Sequence, residues 1–144
     1  MRLLLIHSVV HRWHTRQIDF VMAYPQAKIE QPLYMKFPCG IITKSGSRRS
    51  HVLKLRKNLY GQKQAGLVWY KHLSNKLKSI GFKPSKVDEC IFYRGNCLFF
   101  FYADDGIFLC PDSKQVDKAI EQLKGTGLEL EDRGEYCRLF RHKL

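Results

Sequence analysis

Residues 98–110 read Leu-Phe-Phe-Phe-Tyr-Ala-Asp-Asp-Gly-Ile-Phe-Leu-Cys, and few folds accommodate such a stretch. Leu98 to Tyr102 is apolar on both faces of any strand it forms, which predicts a central strand covered on both sides. Ala103-Asp104-Asp105-Gly106 breaks that strand, and Ile107 to Cys110 resumes the strand pattern. Upstream, Cys90 to Tyr93 and an Arg94-Gly95-Asn96 turn complete a β-hairpin with the Cys97–Tyr102 arm. The fold must bury this hairpin while presenting two carboxylates at its break.

The remaining chain supplies a sheet and its cover. Gln17 to Ala23 reads as a β-prone segment with one acid, Asp19, ended by Pro25. Leu33–Phe37 and Val52–Leu55 are shorter strand candidates flanking a basic Gly/Ser loop over 43–50. Leu67, Tyr70, Leu73, Leu77 and Ile80 recur at helical spacing, with Gly81 where a C-cap falls. Ser113 is placed to cap a second helix bearing Val116, Ile120 and Leu123 on one face, ended by Gly125 and Gly127. The order strand, helix, hairpin, helix predicts an α+β layer, an antiparallel sheet packed by two helices. That architecture alone selects no function.

Charge is distributed unevenly. Residues 1–86 carry 17 basic and 2 acidic side chains, a local +15, whereas 87–144 carry 8 basic and 11 acidic, a local −3. This asymmetry suits a polyanionic partner for the first part, although a solvated basic surface would have the same composition. The five cysteines are odd in number and form no CxxC pair, which argues against a zinc site or a disulfide framework and for a reducing intracellular compartment, cytoplasm or nucleus, rather than secretion. No apolar run reaches the roughly 20 residues of a membrane span. Met1 to Ile6 resembles a signal peptide, but His7, His11, Arg12 and His14 interrupt it, so we read the end of an amphipathic helix continuing from a longer chain.

Adjacent carboxylates repel each other, and an ordinary hairpin does not need them. A tight turn aims both at one point, where a divalent cation offsets the repulsion; against this, Asp and Gly are common turn residues. Asp19 adds weight. It is the only acid in the first 29 residues and sits mid-strand, where Asp is disfavoured. Two strands of one sheet would bring it beside Asp104, and three carboxylates hold two magnesium ions for phosphoryl transfer; the plainer alternative is a solvent-facing edge-strand acid. Between these acids, Asn58 to Gly66 carries Gln62, Lys63 and Gln64 into a helix N-terminus with Trp69 and Tyr70. Such a loop can hold phosphates or a base, or can be a basic turn whose aromatics belong to the core.

Together these segments resemble the reverse transcriptase of copia-type long-terminal-repeat retrotransposons. The resemblance is carried by Arg16-Gln17-Ile18-Asp19-Phe20, Ala23-Tyr24-Pro25-Gln26-Ala27, Leu33-Tyr34-Met35, Leu59-Tyr60-Gly61-Gln62-Lys63-Gln64-Ala65, Trp69-Tyr70, Gly81-Phe82, Asp88 to Tyr93, Tyr102-Ala103-Asp104-Asp105 and Leu130 to Gly134. Their order and spacing are more specific than any one of them. The resemblance implies a truncated polymerase palm with part of the fingers over residues 1–134, and an RNA-directed DNA polymerase activity. It implies Asp19, Asp104 and Asp105 as catalytic ligands of two magnesium ions, with manganese as a substitute. Phe20, Tyr24 and Gln64 would contact the incoming deoxynucleoside triphosphate, Tyr24 excluding a 2′-hydroxyl. Tyr102 and Lys63 would lie against an RNA or DNA template–primer whose phosphates the basic first part tracks.

The same resemblance marks departures. Ala103 is smaller than the family's usual residue, and an Arg expected near Leu67 is missing. A complete enzyme has further fingers before this segment and a thumb after it, supplied by other Pol segments. Residues 135–144 form an atypical basic tail. One permitted back-translation of it reads, in the next frame, Asp-Tyr-Leu-Gly-Ile-Asn, the pattern the family places there, which points to a frameshift. Three readings follow: a polymerase core, a catalytically inactive element relic, or a nucleic-acid-binding module.

Overall fold

The computed structural model describes residues 2–40 and 51–136; the basic loop at 43–50 and the tail beyond 136 lie outside them. The chain begins with α1 (Arg2–Val10), β1 (His14–Phe20) and a single helical turn α2 (Ala23–Gln26). A small ribbon of β2 (Tyr34–Lys36) and β3 (Val52–Lys54) precedes the long α3 (Ala65–Ser79). Then come β4 (Lys83–Pro84), β5 (Ile91–Arg94), β6 (Cys97–Tyr102), β7 (Asp105–Cys110), α4 (Ser113–Gly125) and β8 (Leu130–Glu135). Six strands form one antiparallel sheet in the order β4-β5-β6-β7-β1-β8.

Strand period divides the sheet into two faces. Ile18 and Phe20 on β1, Phe99 and Phe101 on β6, and Phe108 and Cys110 on β7 turn one way, into a core with Val68, Trp69, Leu73 and Leu77 of α3 and Val116, Ala119, Ile120 and Leu123 of α4. The alternate residues Phe100, Ile107 and Leu109 turn the other way, against Leu4 and Leu5 of α1 and against Trp13. The central-strand expectation for 98–102 thus holds, but the cover is asymmetric. Two helices lie on one face as expected, and a third, α1, lies on the other.

Several boundaries move for local reasons. The first strand ends at Phe20 rather than Ala23, because Met22 adopts a left-handed conformation (φ 47°) and turns the chain into α2, whose first turn tolerates Pro25. Asp112, not Ser113, caps α4, its carboxylate accepting the Lys114 N–H at 3.0 Å. Gly81 ends α3 as expected: at φ 90° it lets Phe82 N–H reach Leu77 O and its own N–H reach Lys78 O, both at 3.0 Å, a Schellman pair. Cys97 and Cys110, opposite each other at the base of the β6–β7 hairpin with Cα atoms 4.4 Å apart, are joined as a disulfide. The hairpin register brings the two together where their spacing in the sequence announced nothing; Cys39 and Cys90 are free, so one bridge and no framework is present among the described residues.

The β6–β7 connection is only two residues, Ala103 and Asp104, because Tyr102 pairs with Asp105. Ala103 takes φ 53°, the left-handed region a tight hairpin requires. Both turn carbonyls are occupied from outside the hairpin. Trp69 Nε1 donates to Ala103 O at 2.7 Å, and Phe20 N–H donates to Asp104 O at 2.8 Å. Behind the turn, a Cβ on Gly106 would stand 2.7 Å from Phe99 Cζ and 3.1 Å from Ile18 Cγ1.

Two stability outcomes follow. Gly106→Ala forces a fully buried ring aside and should lower the urea-unfolding free energy by about 1 to 3 kcal/mol. Trp69→Phe keeps most of the apolar contact but strands the Ala103 carbonyl, and should cost about 1 kcal/mol, followed by far-UV circular dichroism.

Candidate active site

The register of β1 in the sheet builds the site. Asp19 stands opposite Asp105 on β7 and opposite Glu131 on β8, so three carboxylates occupy one row across adjacent strands. Asp19 is thus paired in register with Asp105 rather than with Asp104, which lies one step on, in the turn. Asp19 is a quarter exposed and Asp105 exposed, while Asp104 is half-buried. Gln17 Nε2, two residues before Asp19, donates to Asp105 Oδ1 at 3.2 Å.

Tyr60 reports on the field here. Partial burial first, then the negative charge of Asp104, raise its phenol above the usual value of 10.0, with smaller contributions from Tyr24 and Asp19. Tyr60 also packs on Tyr24, ring centroids 4.5 Å apart. A pocket of about 270 Å³ opens beside the turn, lined by Tyr24, Trp69, Tyr70, Tyr102 and the Ala103 backbone.

The positive charge beside Asp19 comes from the same sheet. Arg133 Nη2 donates to Asp19 Oδ2 at 2.8 Å and lies 3.2 Å from Glu131 Oε2. The hydrogen bond to Asp19, followed by the charges of Glu131 and Asp19, raises the Arg133 pKa further. Arg133 reaches this position because β8 bulges: Ile18 pairs with Asp132 and Gln17 with Gly134, leaving Arg133 as the extra residue. Asp132 fixes the bulge, accepting Gly134 N–H at 2.8 Å and Arg16 Nη1 at 2.6 Å, while Arg16 Nη2 reaches Asp117 of α4 at 3.1 Å. Sequence reasoning did not single out Arg133 or Glu131. The strand register makes them part of the site, and no spacing signal within Leu130 to Glu135 announces it.

The other expected site residues are dispersed around this row. Tyr102 is 81% exposed at the end of β6. Lys63 and Gln64 are exposed at the N-terminus of α3, Gln64 as its N-cap residue without a side-chain cap bond. Phe20 is the exception: it is 1% exposed, packed edge-on against Trp69 at 5.2 Å. Its side chain serves the core, and only its backbone reaches the turn.

Carboxylate oxygens are hard donors that suit magnesium or manganese. Among the described residues, however, no group of three or more His, Cys, Asp or Glu side chains is gathered closely enough to hold a metal ion. In this structure the Arg133 guanidinium supplies the positive charge at Asp19. Among the described residues no helix is long and apolar enough to cross a membrane.

No solved structure matches this chain. It is 35% identical over 127 residues to the retrovirus-related Pol polyprotein from transposon RE1 of Arabidopsis thaliana, covering 85% of this chain and 8% of that protein. The RE2 Pol polyprotein of the same plant is 32% identical, again over 85% of the chain and 9% of its own length. The putative transposon Ty5-1 protein of Saccharomyces cerevisiae is 29% identical over 74% of the chain and 35% of its own length. The chain thus spans between about a twelfth and about a third of these relatives. A family model described as reverse transcriptase (RNA-dependent DNA polymerase) matches residues 1–138, nearly the whole chain, and the chain belongs to that family.

Proposed function

We propose that this chain is the palm-like core segment, with part of the fingers, of an RNA-directed DNA polymerase, working by two-metal nucleotidyl transfer within a retrotransposon Pol polyprotein. The observation that carries this is the pairing of Asp19 with Asp105 beside a two-residue turn bearing Asp104. Three carboxylates on a rigid sheet, next to an open aromatic pocket, suit a reaction whose catalysis is mostly positioning and charge stabilisation.

In the reaction the primer 3′-hydroxyl oxygen bonds to the α-phosphorus of a deoxynucleoside triphosphate, and the bond to pyrophosphate breaks. Two divalent ions, when bound, lower the hydroxyl pKa and stabilise the departing pyrophosphate. Asp19, Asp104 and Asp105 would hold them. Tyr24, braced by Tyr60, would lie beneath the incoming sugar and clash with a 2′-hydroxyl. Exposed Tyr102 would meet the primer end, and at a helix N-terminus Gln64 would meet the incoming nucleotide and Lys63 the template–primer. The basic first part would follow the template–primer phosphates, and other Pol segments would complete the grip.

The charge of residues 1–86 also supports a second reading, a relic that binds nucleic acid without catalysis. Primer extension on an RNA template, with magnesium and an Asp104→Asn control, separates the two. Extension by the parent chain and none by the control supports the polymerase core. Binding without extension selects the second reading, and in either case log K should fall linearly with log salt concentration.

A further inference from the structure

We propose that the outer face of the β2–β3 ribbon is a binding site for an unpaired nucleic-acid strand, with Lys36, Lys54 and Arg56 on its phosphates and Tyr34 stacked on a base. This rests on the reading of the chain as part of a nucleic-acid polymerase given above, and gives the basic first part a particular contact surface.

Composition, register and anchoring carry it. Residues 31–87 contain 13 Lys and Arg and no Asp or Glu, so this stretch offers a polyanion attraction without local repulsion. The ribbon sorts part of that charge onto one face. Tyr34 stands opposite Lys54, and Lys36 opposite Val52. Strand alternation sends these four outward: Tyr34 is 59% and Val52 58% exposed, and both lysines are exposed. Met35 and Leu53 pair on the other face and are half-buried. Arg56, just past β3, is exposed as well. Among the described residues Lys36, Lys54 and Arg56 form no ion pair, whereas Arg16, Lys71 and Arg133 each have an acid. An exposed ring framed by uncompensated cations suits a single strand. Its phosphates follow the cations, and a base offers its face to the ring only when unpaired. An acidic peptide would use the charges and leave Tyr34 without a role. The ribbon is also held at its root. Buried Asn58 donates Nδ2 to Ala27 O at 2.9 Å, and Lys28 and Lys57 form a bridge beside it. Ala27 directly follows α2, which carries Tyr24, and Asn58 nearly adjoins Tyr60, which packs on Tyr24. The ribbon and the Tyr24–Tyr60 pair therefore share one junction.

The test is fluorescence anisotropy of a fluorescein-labelled single-stranded RNA of mixed sequence, titrated with the full 144-residue chain over a range of salt. Each lost phosphate contact should reduce the steepness of log K against log salt by about 0.7, so Lys36→Gln combined with Lys54→Gln should reduce it by about 1.4. Lys36→Arg combined with Lys54→Arg should restore the parent slope. Tyr34→Ala should weaken binding about five- to a hundredfold with the slope unchanged, and Tyr34→Phe should retain the parent value. A duplex of the same length should lose little with Tyr34→Ala, a difference that a merely structural role of the ring would not produce. Arg56→Gln, with a slope change of about 0.7, provides the readout if the double glutamine variant does not fold. A parent slope in the glutamine variants, or Tyr34→Ala binding the RNA as tightly as the parent, overturns the ribbon site and leaves the polymerase reading standing. Displacement of the RNA by polyglutamate as readily as by unlabelled RNA selects a surface for acidic peptides and overturns it too. No binding by the parent chain, even at low salt, overturns the ribbon site and the nucleic-acid reading beneath it.

Discussion

The two carbonyl groups of the β6–β7 turn anchor the rest of the molecule. A two-residue connection with Ala103 at φ 53° leaves its peptide oxygens pointing away from the hairpin, where they need donors. One donor is the Trp69 indole on α3, and the other is the Phe20 amide at the end of β1. These two bonds tie the hairpin to the helix that covers it and to the strand that carries Asp19. Phe20 closes the circuit, since its ring packs edge-on against the same Trp69. The buried aromatic cluster below, with Phe99 and Phe108 at 4.4 Å, leaves no room for a side chain at position 106. Packing and turn geometry therefore fix the height at which Asp104 and Asp105 emerge relative to Asp19.

Much of this was legible in the residues. The doubly apolar run at 98–102 required a covered central strand, and the period of Leu67 to Ile80 required a helix; the face that helix buries is Val68, Trp69, Leu73 and Leu77, while Leu67, expected on it, is exposed. What escaped is equally physical. In β8 only Leu130 is buried, so the edge strand Leu130-Glu131-Asp132-Arg133-Gly134-Glu135 has no alternation to detect. The two-residue β4 contains Pro84 and carries no periodic signal at all. The left-handed Met22 is a choice made by tertiary packing, which propensity does not anticipate.

The candidate site shows the same division. Asp19 stood out as an isolated acid in a basic, β-prone segment, and Asp104 and Asp105 as acids interrupting an apolar run. Their chemistry was visible because each violated a local rule. Arg133 and Glu131 violate none; charged residues belong on an edge strand. Their part emerges only when the register of β1 against β8, with its bulge, aligns them with Asp19. Phe20 illustrates the converse: adjacent to a candidate ligand in sequence, it points into the core because strand residues alternate faces.

Electrostatics then link the two halves of the chain. The basic first part contains Asp19, and the acidic second part contributes Asp105 and Glu131 opposite it and Asp117 and Asp132 at Arg16. Arg16 crosses between them, bridging Asp132 at 2.6 Å and Asp117 at 3.1 Å. Exposed ion pairs of this kind add little stability singly. Their effect here is geometric: Arg16 holds the Asp132 bulge, the bulge presents Arg133, and Arg133 sits on Asp19.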